Sequence, residues 1–315
     1  MKLASAWCFA VATLCAIPVP TALAVRPGQA STTAEWVCAY RGIGGQHPDP
    51  KLRNPDYLAE KLCSRPGQFS HEYAGSRQVI DAYPVMYAAY FMVNVRTQYI
   101  DAALRRAAAD GATQVVILGA GFDSRAYRFR ETFPQLRFFE VDLPTTGEVK
   151  RQRLVEVFGA VPDYVRYAPI DFDTQKLEDV LPPLGYDPKQ RTFFVLEGVT
   201  MYVAKAGIGA TLDFIRRNSA PGSRVVFDYL LRPVIEGKYQ GYWAADYISF
   251  AVARLGEPYV TGWTPPQAAV FVKKHGLAVL EDVGDRELGK RYAGSDGKPE
   301  GRLLNWQRFM EARVP

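Results

Sequence analysis

Four short apolar runs of the sequence are each followed by an acidic side chain, and the first run also leads into two glycines. The residues concerned are Gly119, Gly121, Asp123, Asp142, Asp171 and Glu197. In an open parallel sheet, ligands bind outside the carboxyl ends of the strands. If these runs are neighbouring parallel strands, their acids meet at one edge of the sheet. The pattern therefore predicts a ligand site that is rich in carboxylates.

The residue types at this edge do not suit a phosphate group. A dinucleotide loop has the pattern G-x-G-x-x-G, in which free helix amides hold a pyrophosphate. Here the third glycine is absent, and Asp123 adds negative charge where a diphosphate would lie. S-adenosylmethionine, which has no phosphate but carries an ammonium, a sulfonium and a ribose, suits these acids better. Asp142 follows Gly121 by about twenty residues, the spacing at which an acid commonly accepts the ribose hydroxyls.

Each of these residues also has a purely structural interpretation. Gly119 and Gly121 could form a tight turn without a ligand, and Asp142 could cap the helix that follows it. Asp171 could belong to a turn. Glu197 is the hardest to explain in this way, because an unpaired carboxylate after a buried run is costly.

Short apolar runs alternate with helical stretches from residue 114 to the end of the chain. The runs are TQVVIL, LRFFEV, YVRYAPI, RTFFVLE and SRVVFDYLL, and the later segments LAVLEDV and LLNWQRFMEARV add further strands. Continuous apolar strands that alternate with helices indicate a parallel sheet covered on both faces. We therefore predict an α/β fold: a doubly wound, mostly parallel seven-stranded Rossmann-like sheet with an N-terminal helical cap.

The segment before the first strand predicts helices only. TAEWVCAYRGIGGQHPDPKLRNPDYLAEKL has the pattern of a helix, a loop and a second helix, and a longer helix runs from about Tyr83 to Asp110 with Gly111 as its stop. Arg96 lies in this longer helix, where periodicity alone allows it to extend into solvent. We predict a leader at 1–24, a helical cap and linker at 25–111, and a ligand-binding domain at 112–315 with an aromatic-rich, lid-like insertion at 232–262.

Composition limits the class of protein and of partner. The chain of 315 residues is 48% hydrophobic and 23% charged, which is typical of soluble globular proteins. A net charge of +5, with no basic run that contains interleaved aromatics, argues against nucleic-acid binding. The histidines show no metal-ligand spacing, so no metal is predicted. Cys38 and Cys63 could form one disulfide in an exported protein, although buried free thiols are the favoured prediction.

Residues 1–24 have the layout of a secretory signal peptide, with one early lysine, an apolar middle, and the small residues Ala22 and Ala24 at the end. Pro18 and Pro20 argue against a stable membrane-spanning helix. The alternative is that translation begins near Val25. Cofactor supply favours a cytoplasmic protein over an exported one, because S-adenosylmethionine is made in the cytoplasm.

From about residue 31 to its end, the chain resembles the leucine carboxyl methyltransferase-like family of class I S-adenosylmethionine-dependent methyltransferases. The matching segments are VRTQYIDAAL, VVILGAGFDSRAYRF, FFEVDLP followed by Lys150, IDFD, and FFVLEGVTMYV. The pattern LGAG-x-D-x-R, with E-V-D-x-P further along, is specific, whereas a lone G-x-G is not. The resemblance implies transfer of a methyl group to a carboxylate or hydroxyl of a small molecule or peptide.

The resemblance also implies a role for each residue on the cofactor side. Arg96 would bind the cofactor's carboxylate, Gly119 would lie against its methionine portion, and Asp142 would hold its ribose. Asp171 and Phe172 would border the adenine, and Glu197 would complete the cofactor pocket. Gly121 and Asp123 would belong to the acidic glycine loop. Phe172 stands where the family usually has leucine.

The sequence is less specific about the methyl acceptor. A carboxylate acceptor is already ionised at neutral pH and needs no general base, whereas a phenol or alcohol needs one. Acceptor-side candidates are Tyr202, which follows the fourth strand, and Asp228 and Tyr229, which follow the fifth, together with the insertion at 232–262. Aromatic packing of a lid is the alternative interpretation.

Two other functions compete with that of a methyltransferase. One is an NAD(P)-dependent oxidoreductase, which the missing third glycine and Asp123 disfavour. The other is a non-catalytic binding module on the same fold.

Overall fold

The computed structural model describes residues 31–63, 73–170 and 175–315. The predicted leader at 1–24 and the predicted adenine neighbours Asp171 and Phe172 lie outside these ranges.

The helices are α1 (Thr32–Gly45), α2 (Ala59–Leu62), α3 (Tyr73–Ala82), α4 (Pro84–Ala109), α5 (Arg125–Arg128), α6 (Pro144–Phe158), α7 (Leu177–Val180), α8 (Lys205–Arg217), α9 (Arg232–Ile235), α10 (Ala245–Arg254), α11 (Pro265–Lys274) and α12 (Asp285–Arg291). The strands are β1 (Gln114–Leu118), β2 (Arg137–Asp142), β3 (Val165–Pro169), β4 (Thr192–Leu196), β5 (Arg224–Leu230), β6 (Ala278–Val283) and β7 (Gln307–Arg313), and short 3₁₀ turns lie at Pro182–Leu184 and Thr200–Tyr202.

The seven strands form one sheet in the order β3-β2-β1-β4-β5-β7-β6. Strand β1 pairs in parallel with β2 and with β4, while β7 is antiparallel to its neighbours β5 and β6. The chain order reverses between β1 and β4, because β2 and β3 lie on one side of β1 and the later strands on the other. Such a reversal opens a crevice at the carboxyl ends of the strands. The prediction of a mostly parallel, doubly wound seven-stranded sheet is confirmed.

Both faces of the sheet are covered, which explains why its strands are apolar along their whole length. Along β1, Val115 and Ile117 pack on the side of the N-terminal helices, whereas Val116 and Leu118 pack on the side of α8 and α11. Successive side chains of a strand point to opposite faces. Each strand therefore contributes to two separate hydrophobic clusters, and residues next to each other in sequence serve different layers.

The long helix α4 crosses the sheet on the N-terminal side and carries Arg96. It begins with Pro84 at its first position and ends before Gly111, one residue from each predicted bound. Gly111 has a φ of +89°, its N–H donates to the carbonyl of Ala108, and the N–H of Ala112 donates to the carbonyl of Ala107. These paired bonds at a left-handed glycine satisfy the last carbonyls of the helix. The stop at Gly111 is thus confirmed.

Two further observations concern the N-terminal part of the described chain. The thiol of Cys38 is buried and donates to the carbonyl of Ala59, while Cys63 is partly buried, and both cysteines are free. Within residues 31–63, 73–170 and 175–315, every helix is too short or too polar to cross a membrane.

Candidate functional site

A cavity of about 470 Å³ lies at the carboxyl ends of β1, β2 and β4, beneath the N-terminal helices. This volume is within the range of small-molecule sites. Seven of the residues predicted from the sequence line it: Arg96, Gly119, Gly121, Asp123, Asp142, Glu197 and Tyr202. The tertiary structure therefore brings together residues that are spread over more than one hundred positions of the chain.

The loop after β1 requires glycine at two positions. Gly119 has a φ of +66° and Gly121 a φ of +46°, a left-handed region that other residues rarely adopt. A Cβ atom on Gly119 would lie 2.5 Å from Cγ2 of Val199, which is too close for any side chain. The loop therefore approaches the segment after β4 closely, and its backbone is held there by the N–H groups of Gly119 and Ala120, which donate to the carbonyl of Val141.

Asp142 ends the strand next to this loop, and its carboxylate bonds to two backbone amides. One oxygen accepts the N–H of Gly121, and the other accepts the N–H of Leu143 at 2.7 Å. Burial raises the pKa of Asp142, although both backbone bonds act in the opposite direction. A carboxylate has about four acceptor sites in all. Asp142 therefore supports the loop and the start of α6, and it keeps acceptor capacity at the cavity.

Glu197 follows β4 and lies at the centre of a buried ion-pair network. One oxygen lies 2.9 Å from Nε of Arg96, and the other lies 2.6 Å from Nη1 of Arg125. Arg125 also pairs with Asp123 and, at 2.7 Å, with Asp101. Burial would raise the pKa of Glu197, but the attraction of Arg125 and Arg96 outweighs it and holds this pKa well below the usual value. Glu197 is thus a paired, ionised carboxylate on the cavity wall.

Arg96 points into the protein and not into solvent. It is 6% exposed, it lines the cavity, and its Nη1 lies 3.1 Å from Oδ2 of Asp228. Burial would lower the pKa of Arg96, but Glu197 and Asp228 raise it. The interpretation of Arg96 as a solvent-directed side chain is therefore wrong. Its guanidinium stands between two carboxylates at the edge of the cavity.

The three acceptor-side candidates occupy different places. Tyr202 lines the cavity, whereas neither Asp228 nor Tyr229 is among the described lining residues. Asp228 is fully buried below the cavity floor and accepts bonds from Arg96, from the N–H of Gly198 and from Nε2 of Gln307 at 2.5 Å. These bonds use three of its roughly four acceptor sites, and one of them holds Arg96.

Tyr229 belongs to the opposite face of the sheet, and the prediction that placed it on the acceptor side needs correction. Its side chain packs in the layer of α8 and α11, and its hydroxyl donates to Oδ2 of Asp282 at 2.8 Å. The reason is the two-residue period of a strand. Because Asp228 faces the N-terminal helices, its neighbour Tyr229 must face away from them.

Several residues that the sequence analysis did not single out also line the cavity. Arg41 of α1 is buried, its Nε lies 2.9 Å from Asp56, and its Nη1 lies 3.9 Å from Glu197. Glu257 lies after α10 and is 8% exposed. The available signal was a charged residue inside an otherwise apolar or aromatic segment, WVCAYRGIG for Arg41 and LGEPYV for Glu257.

The end of the cavity away from the glycine loop is apolar and aromatic. The rings of Tyr202 and Tyr259 lie 5.5 Å apart, and those of Tyr259 and Trp306 lie 6.3 Å apart. Helices α4 and α10 add aliphatic side chains, among them Met92 and Val252. Charged groups therefore dominate one end of the cavity, and rings and aliphatic chains dominate the other. This arrangement suits a polar cofactor beside an apolar acceptor.

Comparison with known proteins agrees with this geometry. The family profile described as leucine carboxyl methyltransferase matches residues 34–216. YktD of Bacillus subtilis, whose name assigns it S-adenosyl-L-methionine-dependent methyltransferase activity, is 29% identical over 61% of this chain. The matched segment spans 63% of the length of YktD. Proteins named in the same way from Mycolicibacterium smegmatis and Streptomyces coelicolor are each 30% identical, over 68% and 76% of this chain and 72% and 82% of their own.

A solved structure supports the fold. The crystal structure of a DUF574 family protein from Streptomyces avermitilis superposes with a TM-score of 0.55, at 13% identity, over 91% of this chain and 98% of that chain. The profile match covers more than half of the chain, and the relatives extend it at 30% identity. The chain therefore belongs to the leucine carboxyl methyltransferase family.

Proposed function

We propose that this protein is an S-adenosylmethionine-dependent methyltransferase that methylates an oxygen of a small molecule or peptide. The observation that carries the proposal is the pairing of Asp142 with the Gly121 amide at the mouth of the glycine loop. An acid in this place occupies the amide that a phosphate would use, and it offers its remaining lone pairs to neutral hydroxyls. That chemistry suits a ribose and opposes a diphosphate.

The other residues of the cavity suit the same cofactor. Arg96 is placed to bind a carboxylate, while Asp123 and Glu197 provide negative charge for an ammonium and a sulfonium. Asp171 and Phe172 remain predictions for the adenine end, since they lie outside the described residues. S-adenosylmethionine, when bound, supplies the electrophilic methyl group. The chain's own residues orient the two reactants and exclude water, and positioning of this kind contributes up to ~7–11 kcal/mol.

An oxidoreductase that uses a nicotinamide cofactor fits the site less well. The third glycine is absent, Asp123 lies in the loop, and the Gly121 amide is already bonded to Asp142. A non-catalytic binding module is disfavoured for a different reason. Arg96, both left-handed glycines and the acids Asp123, Asp142 and Glu197 all line one cavity, as cofactor binding requires.

The test is calorimetry of the full chain with S-adenosylhomocysteine and, separately, with NADH. We expect S-adenosylhomocysteine to bind and NADH not to bind; the reverse result would reject the proposal. Untargeted mass spectrometry of cells that overproduce the protein should then reveal an accumulated methylated product. Tight cofactor binding without any methylated product would favour the binding module.

We further propose that the active protein works in the cytoplasm, either started near Val25 or held by an uncleaved leader. Support comes from cofactor supply and from the extent of the family match, which begins at residue 34 and does not need the leader. N-terminal sequencing after fractionation of the native host tests this proposal. A periplasmic protein that begins at Val25 and joins Cys38 to Cys63 would overturn it.

The predicted division at 25–111, 112–315 and the insertion at 232–262 also remains a proposal. The cap part contributes Arg41 and Arg96 to the cavity, and the insertion contributes Ile248, Val252 and Glu257. Both parts therefore line the cavity, as a cap and a lid would do.

A further inference from the structure

Glu257 is a buried acid at the acceptor end of the cavity, and the proposed methyl transfer from the cofactor leaves its role open. It is 8% exposed, and both of its carboxylate oxygens face hydroxyl groups of the N-terminal segment. Ser31 donates to Oε1 at 3.0 Å, and Thr33 donates to Oε2. The N–H of Val260 donates to the carbonyl of Met201 at 2.8 Å, which anchors this segment beside the turn after β4. Glu257 is therefore held in place.

Among the described residues, the groups that contact Glu257 or lie beside it in the cavity are hydroxyls and aromatic rings. Tyr202 has its hydroxyl beside Thr33, and Tyr259 has its hydroxyl beside Tyr202. Among the described residues, the cations that line the cavity are Arg41 and Arg96, and both pair with acids around Glu197. Glu257, at the acceptor end, is therefore an acid without an ion-pair partner among the described residues that line the cavity. A carboxylate acceptor placed there would meet like charge without a compensating cation, which is unfavourable in a buried site.

We propose that the methyl acceptor is an apolar phenol or alcohol and that Glu257 is its general base; this inference rests on the proposed methyltransferase function. Glu257 uses two of its roughly four acceptor sites for Ser31 and Thr33, which leaves capacity for an acceptor hydroxyl. The walls formed by Tyr202, Tyr259 and Trp306 suit an aromatic body. An acid beside the reacting oxygen is what a neutral hydroxyl needs and what a carboxylate does not.

The step balances with these groups alone. The acceptor O–H gives its proton to the Glu257 carboxylate as the oxygen forms a bond to the methyl carbon. The bond between that carbon and the sulfur breaks, and its electron pair stays on the sulfur, which becomes a neutral thioether. Glu257 leaves the step as a carboxylic acid and afterwards loses the proton to water.

A purely structural role predicts different behaviour. In that case Glu257 would only fasten the start of α1, where Ser31 caps the helix by accepting the N–H of Ala34. Glu257→Gln keeps an oxygen that can accept one of the two hydroxyl bonds, but it removes the charge and the basic site. Thr33→Val removes one bond of the fastening and leaves the carboxylate intact. The two variants therefore distinguish a general base from a residue that only holds the start of α1 in place.

The first experiment measures binding of two matched probes, 2-naphthol and 2-naphthoate, to the full chain saturated with S-adenosylhomocysteine at neutral pH. The wild type should bind 2-naphthol more tightly than 2-naphthoate by about tenfold or more, and Glu257→Gln should abolish or reverse this preference. Thr33→Val should retain it. Tighter binding of 2-naphthoate by the wild type, or no binding of either probe, would overturn the inference. Failure to bind S-adenosylhomocysteine would instead reject the proposed function.

The second experiment measures methylation of 2-naphthol and of a more acidic nitro-substituted 2-naphthol. Glu257→Gln should lower turnover of 2-naphthol by about 10²–10⁴-fold, the usual contribution of a general base. The loss should be much smaller for the nitro compound, because it ionises without help. Thr33→Val should affect both compounds equally and slightly. An equal loss for both compounds in Glu257→Gln would assign Glu257 a structural role only.

Discussion

The two ends of the cavity are built in opposite ways. At the cofactor end, Arg96, Arg125 and Glu197 are locked in ion pairs of 2.6–2.9 Å, and the glycine loop is tied to Asp142. At the acceptor end, aromatic rings lie near Glu257, whose described side-chain partners are the hydroxyls of Ser31 and Thr33. A cofactor end that is paired before any ligand arrives needs little reorganisation when it binds. The acceptor end instead takes its specificity from shape and from one uncompensated charge.

The comparison also concerns where the residues come from. The cofactor end uses the ends of adjacent parallel strands, which the fold brings together in any protein of this architecture. The acceptor end combines α1, the segment after α10 and the segment before β7. These pieces are distant in sequence and belong to no common motif. We therefore expect the cofactor end to be shared within the family and the acceptor end to differ among its members.

The largest expected effect concerns the ion pairs of the cofactor end. Glu197→Gln should lower the free energy of unfolding by ~3–5 kcal/mol, because it removes the buried charge that Arg96 and Arg125 share and breaks both ion pairs to it. Urea denaturation measures this change. Glu148→Gln, an exposed acid paired with Arg151, is the matched control and should leave the unfolding midpoint nearly unchanged. Equal effects of the two substitutions would mean that the cofactor end is not a locked network.

The next effect concerns the ribose. Asp142→Ala should weaken S-adenosylhomocysteine binding by ~2–4 kcal/mol, because charged hydrogen bonds to two hydroxyls are lost. Calorimetry measures the affinity, and Asp163→Ala, which removes an exposed aspartate, serves as the control. Binding by Asp142→Ala within threefold of the wild type would contradict the assignment of this residue.

A smaller effect distinguishes the contribution of the charge of Arg96 from that of its planar geometry, at the cofactor end. Arg96→Lys keeps the positive charge but loses the planar fork that reaches Glu197 and Asp228. We expect S-adenosylhomocysteine affinity to fall by ~1.5–3 kcal/mol, the usual contribution of a hydrogen bond to a charged group. Arg137→Lys, at the exposed start of β2, should leave the affinity unchanged. If both variants bind alike, Arg96 acts by charge alone.

The smallest effect is a difference in pH dependence between two acids of the cofactor end. The pKa of Asp142 is raised above 3.8, so its carboxylate becomes protonated at a higher pH than that of an ordinary aspartate. The pKa of Glu197 is held below 4.5; its contribution to stability is therefore complete above that value and is lost only as the pH falls towards the lower, folded-state pKa. On acidification, S-adenosylhomocysteine affinity should consequently decline before the free energy of unfolding does. Parallel titrations by calorimetry and urea denaturation check this order, and simultaneous loss would contradict it.

Much of the framework was predictable because its signals are local. Apolar runs alternating with helices predicted the parallel sheet. The helical pattern from about Tyr83, with its stop at Gly111, predicted the ends of α4 to within one residue, and the strand-end rule placed Asp123, Asp142 and Glu197 at one edge. Each of these inferences depends on backbone periodicity or on the chirality of a parallel sheet. None of these inferences depends on which residues a particular side chain contacts. The residues of the sequence alone were therefore enough to predict an acid-rich cofactor edge.

Only the tertiary structure decided which side chains meet. Arg41, Arg96 and Glu197 pair across 101 or more residues, and Glu257 meets Ser31 across 226. Such contacts depend on how helices pack over the sheet, and no local period encodes that packing. Tyr229 shows the same limit of sequence-based prediction for a single residue. Its position near the end of the fifth strand made it a candidate neighbour of the acceptor, but one step along a strand turns a side chain to the other face of the sheet.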